Sequence, residues 1–141
     1  MINTKLTRKA MIIAYEAHKN QVDKSGVPYI YHPIHVAEQM DTENECIIAL
    51  LHDVVEDINV TFKQLEEVFS KEIIDILKLL TREENIEYDE YIKRIKNNSI
   101  ACKVKIADLT HNLDKTRLDF VTEVDVKRNE KYKKALQILY Y

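Results

Sequence analysis

Leu50-Leu51-His52-Asp53-Val54-Val55-Glu56-Asp57 sets one imidazole and three carboxylates directly on an apolar run. Thr42-x-x-Glu45 upstream reads as a capping box, a helix start in which two side chains satisfy two orphan N–H groups. From there Ile47, Ile48, Leu50, Leu51, Val54 and Val55 leave almost no polar face. A helix apolar all round is a central, buried one, and the fold is expected to assemble around it. Continued through the acids, such a helix stacks His52 on Glu56 and Asp53 on Asp57, because residues four apart share a face. Buried acids need a partner. The partner is either a bound metal ion or a network of cations brought in from elsewhere.

The rest of the chain agrees with a helical protein. It has 141 residues, 45% of them apolar, one glycine (Gly26) and two prolines (Pro28 and Pro33). Scarce turn chemistry argues against many short strands, so the expected class is all-α, a compact multi-helix bundle forming one domain over residues 1–141. Net charge is −3 with both signs interspersed, and no basic stripe points to nucleic acid. A polyphosphate ligand would therefore need locally placed cations. Cys46 and Cys102 have no metal-type spacing and read as reduced core residues. The first residues carry no signal-type apolar run, and no segment approaches the ~18 apolar residues of a membrane span. The expectation is a cytoplasmic protein, without membrane or nucleic-acid partners.

Outward from the central stretch, apolar periodicity predicts a first helix over residues 4–19, closed by His18, which reads as a packing residue. Residues 20–28 form the main irregular loop. Lys24 lies there, either a functional cation or a solvated surface lysine. Pro33 suits the first position of a second helix, which would hold His32 extended at the helix entrance. His35 follows one turn later, near the site or on the surface. Thr61-x-x-Gln64 opens a short helix, and Ile73 to Leu80 form another. Thr81 to Tyr88 reads as an acidic loop, and Tyr91, Ile92 and Ile95 mark a further helix. Ser99 is expected to cap a helix that carries Asp108 among apolar residues and ends at His111-Asn112. Lys105, three residues earlier, is a possible ion-pair partner for Asp108. Residues 123–140 read as a terminal helix.

Four candidate ligands emerge: His32, His52, Asp53 and Asp108, from three helical segments. Two imidazoles and two carboxylates without a thiolate suit Mn²⁺, Fe²⁺ or Zn²⁺. A six-coordinate ion held by four side chains keeps two positions for water or substrate.

The motifs Pro28-Tyr29-Ile30-x-His32-Pro33-x-x-Val36-Ala37, Leu51-His52-Asp53-Val54-Val55-Glu56-Asp57 and Lys105-Ile106-Ala107-Asp108-x-x-His111-Asn112 resemble the HD-domain phosphohydrolase superfamily. Within it they resemble the hydrolase domain of RelA/SpoT homologues, over residues 10–118. The resemblance implies an HD-type bundle around a metal, usually Mn²⁺, held by His32, His52, Asp53 and Asp108. It implies that Glu56 and Asp57 position the attacking water and manage its proton. It also implies that Asn112 and Lys24 contact a nucleotide. The implied reaction takes the 3′-pyrophosphate from ppGpp or pppGpp, leaving GDP or GTP. With no synthetase motif in the chain, the expectation is a stand-alone small alarmone hydrolase.

Departures fall on the substrate side. Asp23 stands where the family often has Arg, Leu109 follows Asp108 in place of Arg, and Leu113-Asp114-Lys115-Thr116 replaces Met-Arg-Thr. Lys19, Lys103, Lys115 and Arg117 are the cations available to compensate. These departures keep an alternative open: an HD phosphohydrolase of another nucleotide, such as a phosphorylated nicotinamide dinucleotide or a nucleoside monophosphate. A third reading is a non-catalytic nucleotide-binding module. Oligomeric state is not set by the sequence.

Overall fold

Six helices begin on a side chain that accepts a backbone N–H, and those caps divide the chain. The computed structural model describes residues 1–56 and 60–141. Among the described residues there are eight α-helices: α1 Lys5–His18, α2 Tyr31–Glu38, α3 Glu43–Leu51, α4 Phe62–Glu66, α5 Lys71–Leu80, α6 Tyr88–Lys96, α7 Ser99–Asn112 and α8 Glu123–Tyr140. The all-α expectation holds; extended pairing among the described residues is a single bridge between Val22 and Pro28.

Helix α3 is the core, as its sequence requires. Every residue from Cys46 to Leu51 is buried. It packs against α1, α2, α5 and α7, with Ala10, Ala14, Val36, Ala37, Ile74, Leu77 and Val104 joining the same cluster. Helix α8 closes the other side through α6 and α7, where Ala135 and Leu139 are buried. No helix among the described residues is long and apolar enough to cross a membrane. Cys46 and Cys102 are both unpaired.

Three local expectations need correction. First, α3 does not run through the acids; it ends at Leu51, and Val54–Glu56 forms a 3-10 turn. The His52 ring lies 2.5 Å from the Ala49 carbonyl, the acceptor that the Asp53 N–H would use in a continuing helix. His52 and Glu56 are therefore not stacked by helical period. Second, α2 starts at Tyr31, so His32 is helical and Pro33 is the third residue. Proline is tolerated there because its missing N–H belongs to the orphan first turn. Third, Asn98 rather than Ser99 caps α7, its side chain accepting from the Ala101 N–H at 2.9 Å. Asn and Ser cap about equally well, and the one that leaves the helix backbone first takes the role.

The loop before α2 is a tight hairpin. The Asp23 N–H donates to the Val27 carbonyl at 2.8 Å, and Gly26 has φ 82°. That left-handed backbone is where a side chain would be strained, which accounts for the one glycine.

Candidate metal centre and adjoining cavities

Local structure delivers the side chains from three directions. The first turn of α2 brings in His32, the break after α3 brings in His52 and Asp53, and α7 brings in Asp108. On α7, Lys105, Asp108, His111 and Asn112 follow three- and four-residue steps and share one face.

His32, His52 and Asp53 each place one candidate ligand atom within 4.8 Å of the others. Nε2 of His52 is 3.1 Å from Asp53 Oδ2 and 3.6 Å from Asp108 Oδ1. Nε2 of His32 is 2.8 Å from Asp108 Oδ1 and 4.0 Å from Asp53 Oδ2. The four residues anticipated as ligands are thus gathered at one place.

Electrostatics requires a positive charge there. Because a carbonyl only accepts, the His52 Nδ1 beside Ala49 carries the proton. Its Nε2 is then a lone pair buried against two carboxylates, and it makes no hydrogen bond. Burial disfavours the imidazolium, yet the Asp53 charge, and after it the Asp108 carboxylate facing Nε2, outweigh it and raise the His52 pKa well above the usual value. Burial also pushes Asp53 up, but the His52 charge beside it holds its carboxyl at about 2. Asp108 is held well below the ordinary range, against burial, chiefly by Lys105. A divalent cation among two imidazoles and two carboxylates fits the same donors.

The remaining partners of these groups are fixed. The Tyr29 hydroxyl donates to Asp53 Oδ2. Lys105 Nζ is 3.0 Å from Asp108 Oδ2, so the suspected ion pair does form, but on the oxygen turned away from His32. Asn112 Nδ2 donates to Asp108 Oδ1 at 3.1 Å. His32 Nδ1 meets His111 Nδ1 at 2.8 Å, and the two rings lie edge to edge, 4° from parallel with centroids 5.1 Å apart. His35 stacks on the far side of His111, 3.9 Å between centroids. His18 packs against Tyr29 and Gln21, the role expected of it.

A cavity of about 220 Å³ opens over the cluster, lined by Tyr29, His52, Asp53, Glu56, Lys105, Asp108 and Asn112 among others. Glu56 sits at its exposed rim. Burial of its carboxyl, followed by the Asp53 charge, raises its pKa above the usual value. That is the direction wanted in a group that accepts a proton near neutral pH. Asp57 lies outside the described residues. A second cavity of about 320 Å³ adjoins through Tyr29, Asn112 and Tyr132 and includes Lys24. Lys24 is not a free cation: its Nζ is 2.5 Å from Asp125, a buried acid on α8. A third cavity of about 360 Å³ lies beyond His32 and His111.

Sequence reasoning gave Tyr29 and His111 no role of their own within the quoted motifs, left Arg117 as one of four available cations, and did not single out Asp125. His111 was detectable, since it stands one turn after Asp108. Tyr29 was in a quoted motif but its contact with Asp53 is set by loop geometry, and Asp125 carried no signal because a long-range contact places it.

A family model described as HD domain matches residues 10–104. The match ends before Asp108 and Asn112. SpoT of Escherichia coli, a bifunctional (p)ppGpp synthase/hydrolase, is 30% identical over 124 residues, covering 77% of this chain and 18% of that protein. MESH1 of Danio rerio, a guanosine-3′,5′-bis(diphosphate) 3′-pyrophosphohydrolase, is 34% identical over 124 residues, covering 79% of this chain and 69% of that protein. The chain thus spans less than a fifth of the length of the bacterial relative. A solved structure of a metazoan ortholog of SpoT that hydrolyzes ppGpp matches with a TM-score of 0.78 at 22% identity, over 99% of this chain and 88% of that one. That last likeness is one of fold.

Proposed function

The chain belongs to the HD-domain family, and we propose that it is a metal-dependent phosphohydrolase removing the 3′-pyrophosphate from guanosine polyphosphates. The observation that carries the reading is the convergence of His32, His52, Asp53 and Asp108 beneath a cavity rimmed by Glu56. The likeness to MESH1, most of whose length the chain covers, supports the substrate class.

In this reading residues 1–141 act as one domain, and the four residues hold a divalent ion, Mn²⁺ being our assignment. When bound, the ion supplies charge neutralisation to the phosphate and acidity to water. Tyr29 and Asn112 keep Asp53 and Asp108 oriented through the hydrogen bonds described. Glu56 takes the proton from the attacking water, with Asp57 as its partner in the same acidic pair. Lys105 remains on the outer oxygen of Asp108 and adds a positive charge beside the reacting phosphate. Lys24 and Asn112 line the adjoining cavity, where the nucleoside is held. Paired with Asp125, Lys24 acts there as an oriented donor rather than as a free charge. The unpaired cysteines suit a reducing compartment, and we assign the activity to the cytoplasm. The partner in this reading is a small-molecule nucleotide.

The test is a nucleotide panel incubated with the Mn²⁺-loaded protein, with phosphate products identified. Pyrophosphate released from ppGpp is the expected result. Orthophosphate from a phosphorylated nicotinamide dinucleotide or a nucleoside monophosphate, with ppGpp intact, would overturn the substrate in favour of the other-nucleotide reading. Binding without any product would leave a nucleotide-binding module.

A further inference from the structure

The cavities around the metal centre are walled by four cations: Lys24, Lys105, Arg117 and Arg128. Three are already held by carboxylates at hydrogen-bonding distance. Lys105 is 3.0 Å from Asp108, while Lys24 and Arg128 are 2.5 and 2.8 Å from the same oxygen of Asp125. Arg117 differs. Its nearest carboxylate oxygen is Asp23 Oδ2 at 3.8 Å, and both side chains are about a fifth to a quarter exposed. Such a pair is weak, because at 3.8 Å the geometry lacks a hydrogen bond.

The guanidinium is nevertheless well positioned. Its Nη1 donates to the His111 carbonyl at 3.0 Å and reaches Asn112 Oδ1 at 3.4 Å. The Ser25 hydroxyl donates to the Arg117 carbonyl at 2.7 Å, which ties the 3-10 turn Lys115–Arg117 to the hairpin before α2. Arg117 lines both the 320 Å³ and the 360 Å³ cavities, and Tyr29 connects both with the metal cavity. Nη2 and Nε make no hydrogen bond among the described residues, so part of the donor fork is available. The neighbouring acids are partly answered by other donors. Asp23 Oδ1 accepts from the Ser25 and Val27 N–H groups at 2.8 and 3.0 Å, and Asp114 accepts from Thr116.

We propose that Arg117 is a phosphate-binding residue of this enzyme, taking the nucleotide phosphate that is not on the metal, with Asp23 as the counter-ion that the phosphate replaces. The inference rests on the guanosine polyphosphate reading. A guanidinium fork matches two phosphate oxygens, and a charge-assisted pair of this kind is about twice as strong as a neutral hydrogen bond. The Asp23 contact, which lacks a hydrogen bond, is readily exchanged for it. The acid at position 23 then becomes intelligible: the cation stands across the loop from it, on the turn after α7.

The experiment is calorimetric titration of the full chain with GDP and, separately, with guanosine; the ratio of the two affinities isolates the phosphate contribution. Wild type should prefer GDP by about tenfold or more, and Arg117→Gln should reduce that preference to near unity. Asp23→Asn should widen the preference in the wild-type background and leave it unchanged in the Arg117→Gln background. A preference that survives in Arg117→Gln overturns the assignment. So does an equal effect of Asp23→Asn in both backgrounds; and a preference that Asp23→Asn alone fails to widen overturns it without recourse to Arg117→Gln. The substrate reading fails separately, if the wild-type enzyme with Mn²⁺ leaves ppGpp intact.

Discussion

His32 Nδ1 and His111 Nδ1 lie 2.8 Å apart with their rings edge to edge and 4° from parallel, so two nitrogens share one proton. With Nε2 of His32 directed at Asp108 and the metal position, the proton belongs on His32 Nδ1, and His111 accepts it. His111 is suited to accept, because burial first, and then the charge of Arg117, lower its pKa to about 4. A neutral His111 therefore fixes the ring orientation and tautomer of His32.

Replacing His111 by alanine leaves that N–H unanswered. The expected result is a ~10–100-fold loss of Mn²⁺ affinity, read by competition with a chelator, while the helical circular dichroism stays unchanged. Undiminished metal affinity would remove His111 from the support of the centre.

Asp53→Ala removes a carboxylate that sits against both imidazoles. Stoichiometric metal should be lost on dialysis, and turnover with it. Full activity in a metal-stripped preparation of this variant would contradict the site.

Glu56→Gln keeps shape and hydrogen bonding while removing the proton acceptor at the cavity rim. Metal content should equal that of wild type, and kcat should fall by ~10²–10⁴. An unchanged kcat would transfer the role elsewhere, Asp57 being the adjacent acid.

Asp125 gives a pH signature away from the metal. The hydrogen bond from Lys24, followed by those from Thr122, holds its carboxyl below the usual carboxylate range. A depressed acid stabilises the fold above its unfolded pKa of about 3.9 and loses that contribution as pH falls through the folded value. Thermal melting followed from pH 5 downward should show the wild-type Tm falling through this window. Asp125→Asn should start from a lower Tm and decline less. Parallel declines would show that Asp125 carries no linked proton.

How the break after α3 forms explains what was legible in advance. Thr42 and Thr61, read as caps from the sequence, do cap their helices, because capping is local chemistry. The end of α3 is set by a ring reaching back to Ala49, which no apolar pattern announces. The same limit applied at Lys24, where a lysine open to either reading turned out to be paired with an acid 101 residues away.

By itself the amino-acid sequence determined that the chain is helical, that α3 is its buried axis, and which acids are anomalous among apolar neighbours. Those are matters of periodicity and of the cost of burying charge. Tertiary structure alone decided which cations remain available. Lys24, Arg128 and Lys105 are each drawn to a carboxylate, and Arg117 is left facing the cavities across from Asp23. Charge pairing acts over a few ångströms in space, and only the packing of α7, α8 and the hairpin sets those distances.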